Sequence, residues 1–232
     1  LFPSGEIAPF LHNRQPVPHL VLWQSDYAGF SHACLLAGAH PCPRAIPGQV
    51  STGRWPIVFD AWYHRKARAH DVSIVYLPKG RERLRLVLSC VAAAMEPGGR
   101  VLLVGSKRGG IRSARRELEA VFGHAEPLDA ARHCVLFRAQ GHTERPDGQT
   151  PPSDLSEFGV EFPLEAAGAP LRLWSYPGVF SHGRLDDGTQ LLLQTLERSL
   201  PGPVLDFGCG CGVIGAWLAR RWPDTVVDMV DS

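Results

Sequence analysis

The sequence predicts an α/β protein of two domains, each built on a parallel sheet with helices against it. Short apolar runs alternate with helical periodicity between residues 71 and 138. A second succession of strand, turn, helix and strand occupies residues 204–230, and a stretch rich in Gly, Pro, Thr, Asp and Ser precedes the second half. These observations divide the chain into a first domain at 1–140, a linker at 141–156 and a second domain at 157–232.

In the first domain, helical periodicity at 81–95 and 113–122 alternates with strands. The turn Glu96-Pro97-Gly98-Gly99 separates the first helix from the strand that follows. The predicted strands are short apolar runs, at residues 19–23, 56–60, 72–77, 100–105, 125–128 and 134–138. The last two are joined by so short a link that they must pair antiparallel.

The second domain begins with a predicted hairpin at 157–162 and 171–176. Asp186 or Asp187 can cap the next helix, whose apolar face comes from residues 191–196. A buried strand at 204–207 then enters a glycine turn, a helix follows from about Val213, and a last strand covers 226–230.

The glycine turn is the most specific motif of the chain, Val-Leu-Asp-Phe-Gly-Cys-Gly-Cys-Gly at 204–212. Glycines allow positive φ and let the backbone approach a ligand closely, while the following helix directs free N–H groups at it. A dinucleotide-binding turn requires glycine where this chain has Val213. A phosphate-binding P-loop would end in Gly-Lys-Ser or Gly-Lys-Thr, which is missing here. The turn therefore predicts a different cofactor.

The pattern D-x-G-x-G-x-G, followed 19 residues after Gly212 by an acid at the end of a second apolar strand, resembles the cofactor loop of class I methyltransferases. The resemblance implies that S-adenosylmethionine is the cofactor. It implies a Rossmann-like fold for both domains, and it implies that Asp231 accepts the ribose hydroxyls. The remaining residues that it places at the cofactor are Asp206, Gly208, Gly210, Gly212 and Phe180.

The segment at 176–193, with Pro-Gly-Val-Phe-Ser followed by Leu-Asp-Asp-Gly-Thr-Gln-Leu-Leu-Leu, is similar to the one that precedes this loop in ribosomal RNA guanine-N2 methyltransferases. The similarity is closest to the members that act on the small subunit. It implies methyl transfer to a guanine N2 of 16S rRNA, with the small ribosomal subunit as partner. Because the sulfonium methyl is already activated, no catalytic acid, base or nucleophile is expected among these residues.

The first domain has no glycine loop of this kind, so it is expected to be a methyltransferase fold without a cofactor site. In the family that it resembles, an inactive amino-terminal copy helps to hold RNA. Between Lys79 and Arg116 there are ten Lys or Arg residues against two acids. The candidate RNA-binding residues are Lys107, Arg108, Arg112, Arg115, Arg116 and, in the second domain, Arg184. A solvated basic helix face explains this cluster equally well.

Three further arginines, at 81, 83 and 85, are spaced by two, which is expected to spread them around a helix. They are therefore weaker candidates for RNA binding than the basic residues at 107–116.

Composition is consistent with an intracellular enzyme. The formal net charge of +1 excludes a generally basic coat, and no apolar stretch is long enough to cross a membrane. The six cysteines form no C-x-x-C pair, so reduced and mostly buried thiols without a metal are expected. We therefore expect the protein to be a cytoplasmic monomer.

The chain ends at Ser232, one residue after the expected ribose acid. The resemblance implies further strands and an Asn-Pro-Pro-Phe motif that orients the base, and neither is present, so an incomplete catalytic domain is expected. Two alternatives stay open. One is the related large-subunit guanine-N2 methyltransferase, and the other is a non-catalytic RNA-binding module.

Overall fold

The computed structural model describes residues 22–24, 48–51, 56–59, 70–141, 155–165, 170–198 and 200–231. The chain divides into two compact units, Leu1–Ser153 and Asp154–Ser232. Most of the predicted linker and the first part of the predicted strand at 19–23 lie outside the described residues.

The first unit contains a four-stranded and a three-stranded sheet. Its strands are β1 Leu22–Gln24, β2 Gly48–Ser51, β3 Pro56–Phe59, β4 His70–Tyr76, β5 Met95–Ser106, β6 Ala125–Asp129 and β7 Cys134–Gln140. Within the described residues, two helices, α1 (Arg81–Ala94) and α2 (Ile111–Phe122), alternate with them. The larger sheet has the order β4-β5-β7-β6, with β4 parallel to β5 and β7 antiparallel to both neighbours. The alternation and the antiparallel closing pair confirm the prediction.

The smaller sheet has the order β1-β3-β2, with β1 parallel and β2 antiparallel to β3. Strand β2 was not predicted, because its Gly-Gln-Val-Ser sequence has too little apolar character to mark a strand.

The core of the first unit lies between the helices and the larger sheet. Ile111, Ala114 and Leu118 are buried and follow the three-to-four-residue spacing of one helix face. They pack in one cluster with Val101 and Leu103 of β5, both fully buried. Each buried Leu or Ile side chain contributes about 1.5–3 kcal/mol, so this cluster holds α2 on the sheet.

The turn predicted at 96–99 is wrong in extent, because β5 already begins at Met95. His70 pairs with Met95 and Val72 with Arg100, with a register shift between them. The extra residues bulge out of the ladder, which Gly98 allows by adopting φ +76°. The segment is an irregular start of the strand rather than a turn before it.

The second unit begins with a single 3₁₀ turn, Leu155–Phe158, where the sequence predicted the start of a strand. The hairpin that follows is antiparallel, as predicted, but its first strand begins only at Val160. The elements of this unit are β8 Val160–Leu164, β9 Leu171–Ser175, α3 Asp187–Thr195, β10 Val204–Phe207, α4 Val213–Arg221 and β11 Val227–Val230. Strands β10 and β11 pair in parallel, which places the two predicted acidic strand ends at one edge.

Trp217 of α4 is the largest fully buried side chain in the described part of this unit. Its ring meets Trp222 edge to face, with centroids 5.5 Å apart. Helix α3 packs through Leu193, which is fully buried, whereas Leu191 and Leu192 are 62% and 43% exposed. The predicted apolar face at 191–196 is therefore too wide, because successive helix residues point about 100° apart and three consecutive leucines cannot all face the core.

Candidate functional site

The glycine turn between β10 and α4 adopts the conformation that its composition predicts. Gly208, Gly210 and Gly212 have φ values of +80°, +57° and +81°, which L-residues rarely adopt. A Cβ built on Gly208 would meet nothing within 4 Å, and one on Gly210 or Gly212 would meet only side-chain atoms at 3.5 Å or more. The turn is therefore an open cradle of backbone, with α4 starting behind it.

Asp206 lies in β10 and is only 6% exposed. Its Oδ2 accepts a hydrogen bond of 2.9 Å from the backbone N–H of Gly215, in the first turn of α4. Because Gly212 at the start of this helix has no side chain to cap it, the carboxylate of Asp206 does so from the strand. The first acid of the motif thus holds the turn and the helix together.

Asp231, directly after β11, reaches the same turn from the other strand. Its Oδ2 accepts a hydrogen bond of 2.6 Å from the backbone N–H of Gly210. The structure therefore brings the predicted ribose acid to the glycine cradle, as the parallel pairing of β10 and β11 requires.

The two carboxylates make the cradle electrostatically negative. The pKa of the Cys209 thiol is raised, first by burial and then by the negative charges of Asp206 and Asp231. Such a field disfavours a pyrophosphate and favours a ligand with a positive charge or hydroxyl donors. The geometry agrees with the exclusion of dinucleotides and triphosphates that the sequence predicted.

The segment between β9 and α3 packs against this cradle. Val179 Cγ1 lies 3.6 Å from the position that a Cβ on Gly210 would take. The next residue, Phe180, is 76% exposed. Ser181 has φ +53°, and its Oγ is buried with no hydrogen-bond partner in the part of the chain that the structure describes. A strained backbone and an unsatisfied hydroxyl beside an open cradle are typical of a ligand site.

Hydrogen bonds hold this segment in place. Buried Ser175 Oγ accepts from the backbone N–H of Gly183 at 2.8 Å and contacts His182 Nδ1 at 2.8 Å. Of the two predicted caps for α3, Asp186 is the cap, because its Oδ2 accepts from Thr189 N–H at 3.0 Å. The sequence analysis missed Ser175 and Ser181, since nothing in the local pattern distinguishes their hydroxyls from those of other serines.

The candidate RNA residues are distributed over both units. Lys107 and Arg108 are exposed in the turn before α2, and Arg112 and Arg116 are exposed on that helix. Arg115 instead forms an ion pair of 2.9 Å with Glu119, so part of its charge is already neutralised. In the second unit, Arg184 is exposed and its backbone N–H donates to Ser181 O at 3.1 Å.

The prediction that Arg81 and Arg85 spread around their helix is wrong. Both guanidinium groups bind the carboxylate of Glu117, which is only 4% exposed. Residues four apart lie on the same helix face, and this spacing was the signal that could have shown the pair. Burial raises the pKa of Glu117, but the hydrogen bonds and charges of Arg85 and Arg81 outweigh it and lower that pKa overall.

The four cysteines within the described residues are less buried than predicted, and Cys34 and Cys42 lie outside those residues. Cys90, Cys134, Cys209 and Cys211 are free thiols, and all four are half-buried. Over the residues that the structure describes, no group of three or more His, Cys, Asp or Glu is placed to hold a metal ion. None of the helices in the described ranges is both long and apolar enough to cross a membrane.

Two family models match the chain, one in each unit. The model of the methyltransferase small domain N-terminal region matches residues 49–151, and the model of the methyltransferase small domain matches residues 170–232.

Curated relatives are similar over most of the chain. Ribosomal RNA small subunit methyltransferase C of Pseudomonas putida (strain W619) is 44% identical over 163 residues, which are 70% of this chain and 47% of the relative. The protein of the same name from Pseudomonas entomophila (strain L48) is 46% identical over 163 residues, again 70% of this chain and 47% of the relative. The chain thus spans about half the length of the curated relatives that it matches.

A solved structure supports the fold. The T. thermophilus 16S rRNA N2 G1207 methyltransferase (RsmC), in complex with AdoMet and guanosine, superposes with a TM-score of 0.65 at 23% sequence identity. The superposition covers 91% of this chain and 52% of the other. At this identity the likeness establishes a common α/β fold.

Proposed function

We propose that the chain, which two methyltransferase small domain models match at residues 49–151 and 170–232, is part of an S-adenosylmethionine-dependent methyltransferase that acts on small-subunit ribosomal RNA. The reaction that we propose is methyl transfer to the exocyclic N2 of a guanine in 16S rRNA. The names of the relatives support the substrate, and the geometry of the glycine cradle supports the cofactor.

One observation carries the proposal: an open backbone cradle with positive φ at three glycines stands between two carboxylates. S-adenosylmethionine fits this chemistry, because its sulfonium is positive and its ribose presents two hydroxyl donors. The carboxylates of Asp206 and Asp231 attract the former and can accept from the latter.

We propose that Asp231 accepts the ribose hydroxyls. Its Oδ2 already accepts from Gly210, but a carboxylate has two oxygens and about four acceptor positions, so one backbone donor does not exhaust it. Gly208, Gly210 and Gly212 line the cofactor from below, and Asp206 supports the turn through α4. Exposed Phe180 supplies an apolar surface at the mouth of the cradle.

When bound, S-adenosylmethionine supplies an activated methyl group. The residues of this chain then bind and orient the cofactor and exclude water from it. None of the described side chains acts as an acid, base or nucleophile in the proposed reaction.

We propose a separate task for the first unit, contact with rRNA phosphates through Lys107, Arg108, Arg112, Arg115 and Arg116. Their clustering next to the start of α2, and the exposure of four of the five, support this proposal. Arg184 is the corresponding candidate in the second unit. We also propose that the protein is a cytoplasmic monomer. Its domains lie at 1–140 and 157–232 and are joined by the linker at 141–156.

Cofactor binding tests the proposal first. Calorimetric titration of the chain with S-adenosylmethionine should show binding, and Asp231→Asn should weaken it about tenfold because a charge-assisted hydrogen bond is lost. Asp228→Asn is the matched control, since this aspartate of β11 lies three residues earlier and is exposed. Absence of binding would favour the non-catalytic RNA-binding module.

The substrate is tested with a protein of the curated relatives' length that contains this chain, incubated with S-adenosylmethionine carrying a labelled methyl group and with purified ribosomal RNAs or subunits. We expect label in N2-methylguanosine of the small-subunit RNA, identified by mass spectrometry of the nucleosides. Label confined to large-subunit RNA would support the alternative large-subunit enzyme and overturn the substrate assignment.

A further inference from the structure

A cavity of about 220 Å³ opens in the first unit, away from the glycine cradle in sequence and unused by the proposed methyl transfer. It lies at the carboxyl ends of β4 and β5, where Leu77 and Pro78 leave β4 and where the turn after β5 enters α2. Ligands of α/β proteins characteristically bind outside the carboxyl ends of parallel strands. The position alone makes this cavity a candidate site.

The charged side chains that line the cavity are Arg81, Arg116 and Glu117. Glu117 is the acidic one, and its carboxylate is already held by two guanidinium groups, those of Arg81 and Arg85. In the lining, one carboxylate therefore faces two guanidinium groups, those of Arg81 and Arg116, and Arg85 adds a third positive charge from outside the lining. Arg116 is exposed and has no ion pair to a carboxylate within the described residues. The cavity thus keeps an excess of positive charge that the protein itself does not neutralise.

The backbone of the cavity wall adds hydrogen-bond donors. Gly80 and Gly110, which precede α1 and α2, both line the cavity, and neither provides a side-chain cap. The first N–H groups of both helices therefore open toward the same space. Two helices of 14 and 12 residues direct the positive ends of their dipoles there as well, which reinforces the field of the arginines.

Two glycines, Gly105 and Gly109, allow close contacts within the wall of the cavity. A Cβ on Gly105 would lie 2.7 Å from Cβ of Leu77, so only glycine lets β5 end this close to the segment after β4. A Cβ on Gly109 would lie 2.9 Å from Ser106 Oγ, the group that accepts from the Gly109 N–H. The turn that forms the cavity wall is therefore built from its own hydrogen bonds before any ligand arrives.

We propose that this cavity binds one phosphate group. A guanidinium offers parallel N–H donors that match two phosphate oxygens, and Arg116 with the two helix starts supplies such donors from several sides. A phosphate of an RNA chain and free inorganic phosphate share this chemistry. Assignment to RNA rests on the proposed rRNA substrate, whereas the phosphate site itself does not.

Nuclear magnetic resonance of the whole 232-residue chain tests the site directly. We expect the amide signals of Arg81, Ile111 and Arg112, in the first turns of the two helices, to shift when inorganic phosphate or a short single-stranded RNA is added. Equal shifts at the glycine cradle, or no shift at these three amides with either probe, would overturn the proposal.

Four variants should change the affinity for RNA in different, predictable directions. Arg116→Gln removes a cation from the surface and should weaken RNA binding about fivefold at low salt. The slope of the logarithm of the affinity against the logarithm of the salt concentration should become smaller by about 0.7. Ser113→Glu places a carboxylate in the cavity at a helix position that favours acids, so it should fold normally and weaken binding further. Glu117→Gln removes the acid of the cavity and should strengthen binding. Arg100→Gln is the charge-matched control toward the opposite end of β5 and should change the affinity less than about twofold.

The outcomes separate the phosphate site from the proposed function. Shifts with both probes, together with the opposite effects of Arg116→Gln and Glu117→Gln, support a phosphate site that RNA uses. Shifts with inorganic phosphate alone support the site but assign it to free phosphate. RNA binding that Arg116→Gln and Arg100→Gln weaken equally would refute the site and leave the proposed methyltransferase untouched.

Discussion

The carboxylate of Asp206 accepts a hydrogen bond from the backbone N–H of Gly215 at 2.9 Å, and this bond joins the strand before the glycine turn to the helix after it. Gly212 begins that helix without a side chain to cap it, so the strand supplies the cap. Asp206 is 6% exposed, and the bond is therefore formed away from water, where losing a partner is costly.

Asp206→Ala should destabilise the second unit by about 1–3 kcal/mol, because the N–H of Gly215 loses its acceptor while remaining buried. Asp206→Asn should retain most of the stability, since an amide oxygen can accept the same bond. The measurement is hydrogen exchange of the α4 amides, with Asp228→Ala as a surface control. Unchanged exchange in Asp206→Ala would show that the bond does not support the helix.

Asp231→Asn should make Cys209 react faster with iodoacetamide. Burial and the charges of Asp206 and Asp231 raise the pKa of this thiol, so removing one charge lowers the pKa and increases the thiolate fraction at a given pH. Alkylation rates, measured by mass spectrometry of the Cys209 peptide between about pH 7 and pH 9, give the comparison. Asp228→Asn should leave the rate unchanged, and an equal increase in both variants would contradict the assigned geometry.

The Glu117 ion pairs should make the first unit more stable above about pH 4.5 than below it. The pKa of Glu117 is lowered from its ordinary value of 4.5, so its contribution is fully present above that value and is lost as the pH falls through the lower folded-state pKa. At neutral pH, Glu117→Gln should cost about 1–2 kcal/mol, a modest value because both arginines are at least half exposed to screening solvent.

Urea unfolding of the two proteins between about pH 7 and pH 3 measures this contribution. The difference in the free energy of unfolding between wild type and Glu117→Gln should decrease as the pH is lowered. Glu119→Gln, which removes the partner of Arg115 from the same helix, is the control and should show a small difference throughout. A difference that stays constant with pH would rule out the ion pairs as its cause.

The region 204–230 should exchange its amide hydrogens faster than the strand residues 101–104. Strand β10 pairs with β11 in a sheet of two strands, and Leu205 and Phe207 are 60% and 82% exposed. Val101 and Leu103 of β5 are fully buried in a sheet of four strands. Two-stranded sheets are marginally stable, so local opening should be frequent there. Equal protection of the two regions would contradict this expectation.

Much of the candidate site could be predicted from short stretches of sequence. The three glycines, the start of α4 at Val213 and a cap at Asp186 or Asp187 all depend on backbone conformation and on hydrogen bonds within a few residues. The alternation of strands and helices in the first unit followed from apolar periodicity in the same way. The bulged start of β5 could not be predicted, because it depends on its pairing with β4.

By itself the sequence determined the glycine turn, because glycine conformations and helix caps are local properties of the chain. Only the tertiary structure decided which distant groups meet. It paired Asp231 with the N–H of Gly210, placed Arg81 and Arg85 on the buried carboxylate of Glu117, and left the Oγ of Ser181 buried without an acceptor or donor among the described residues. Burial and partners depend on which elements pack together, and one segment of sequence does not contain that information.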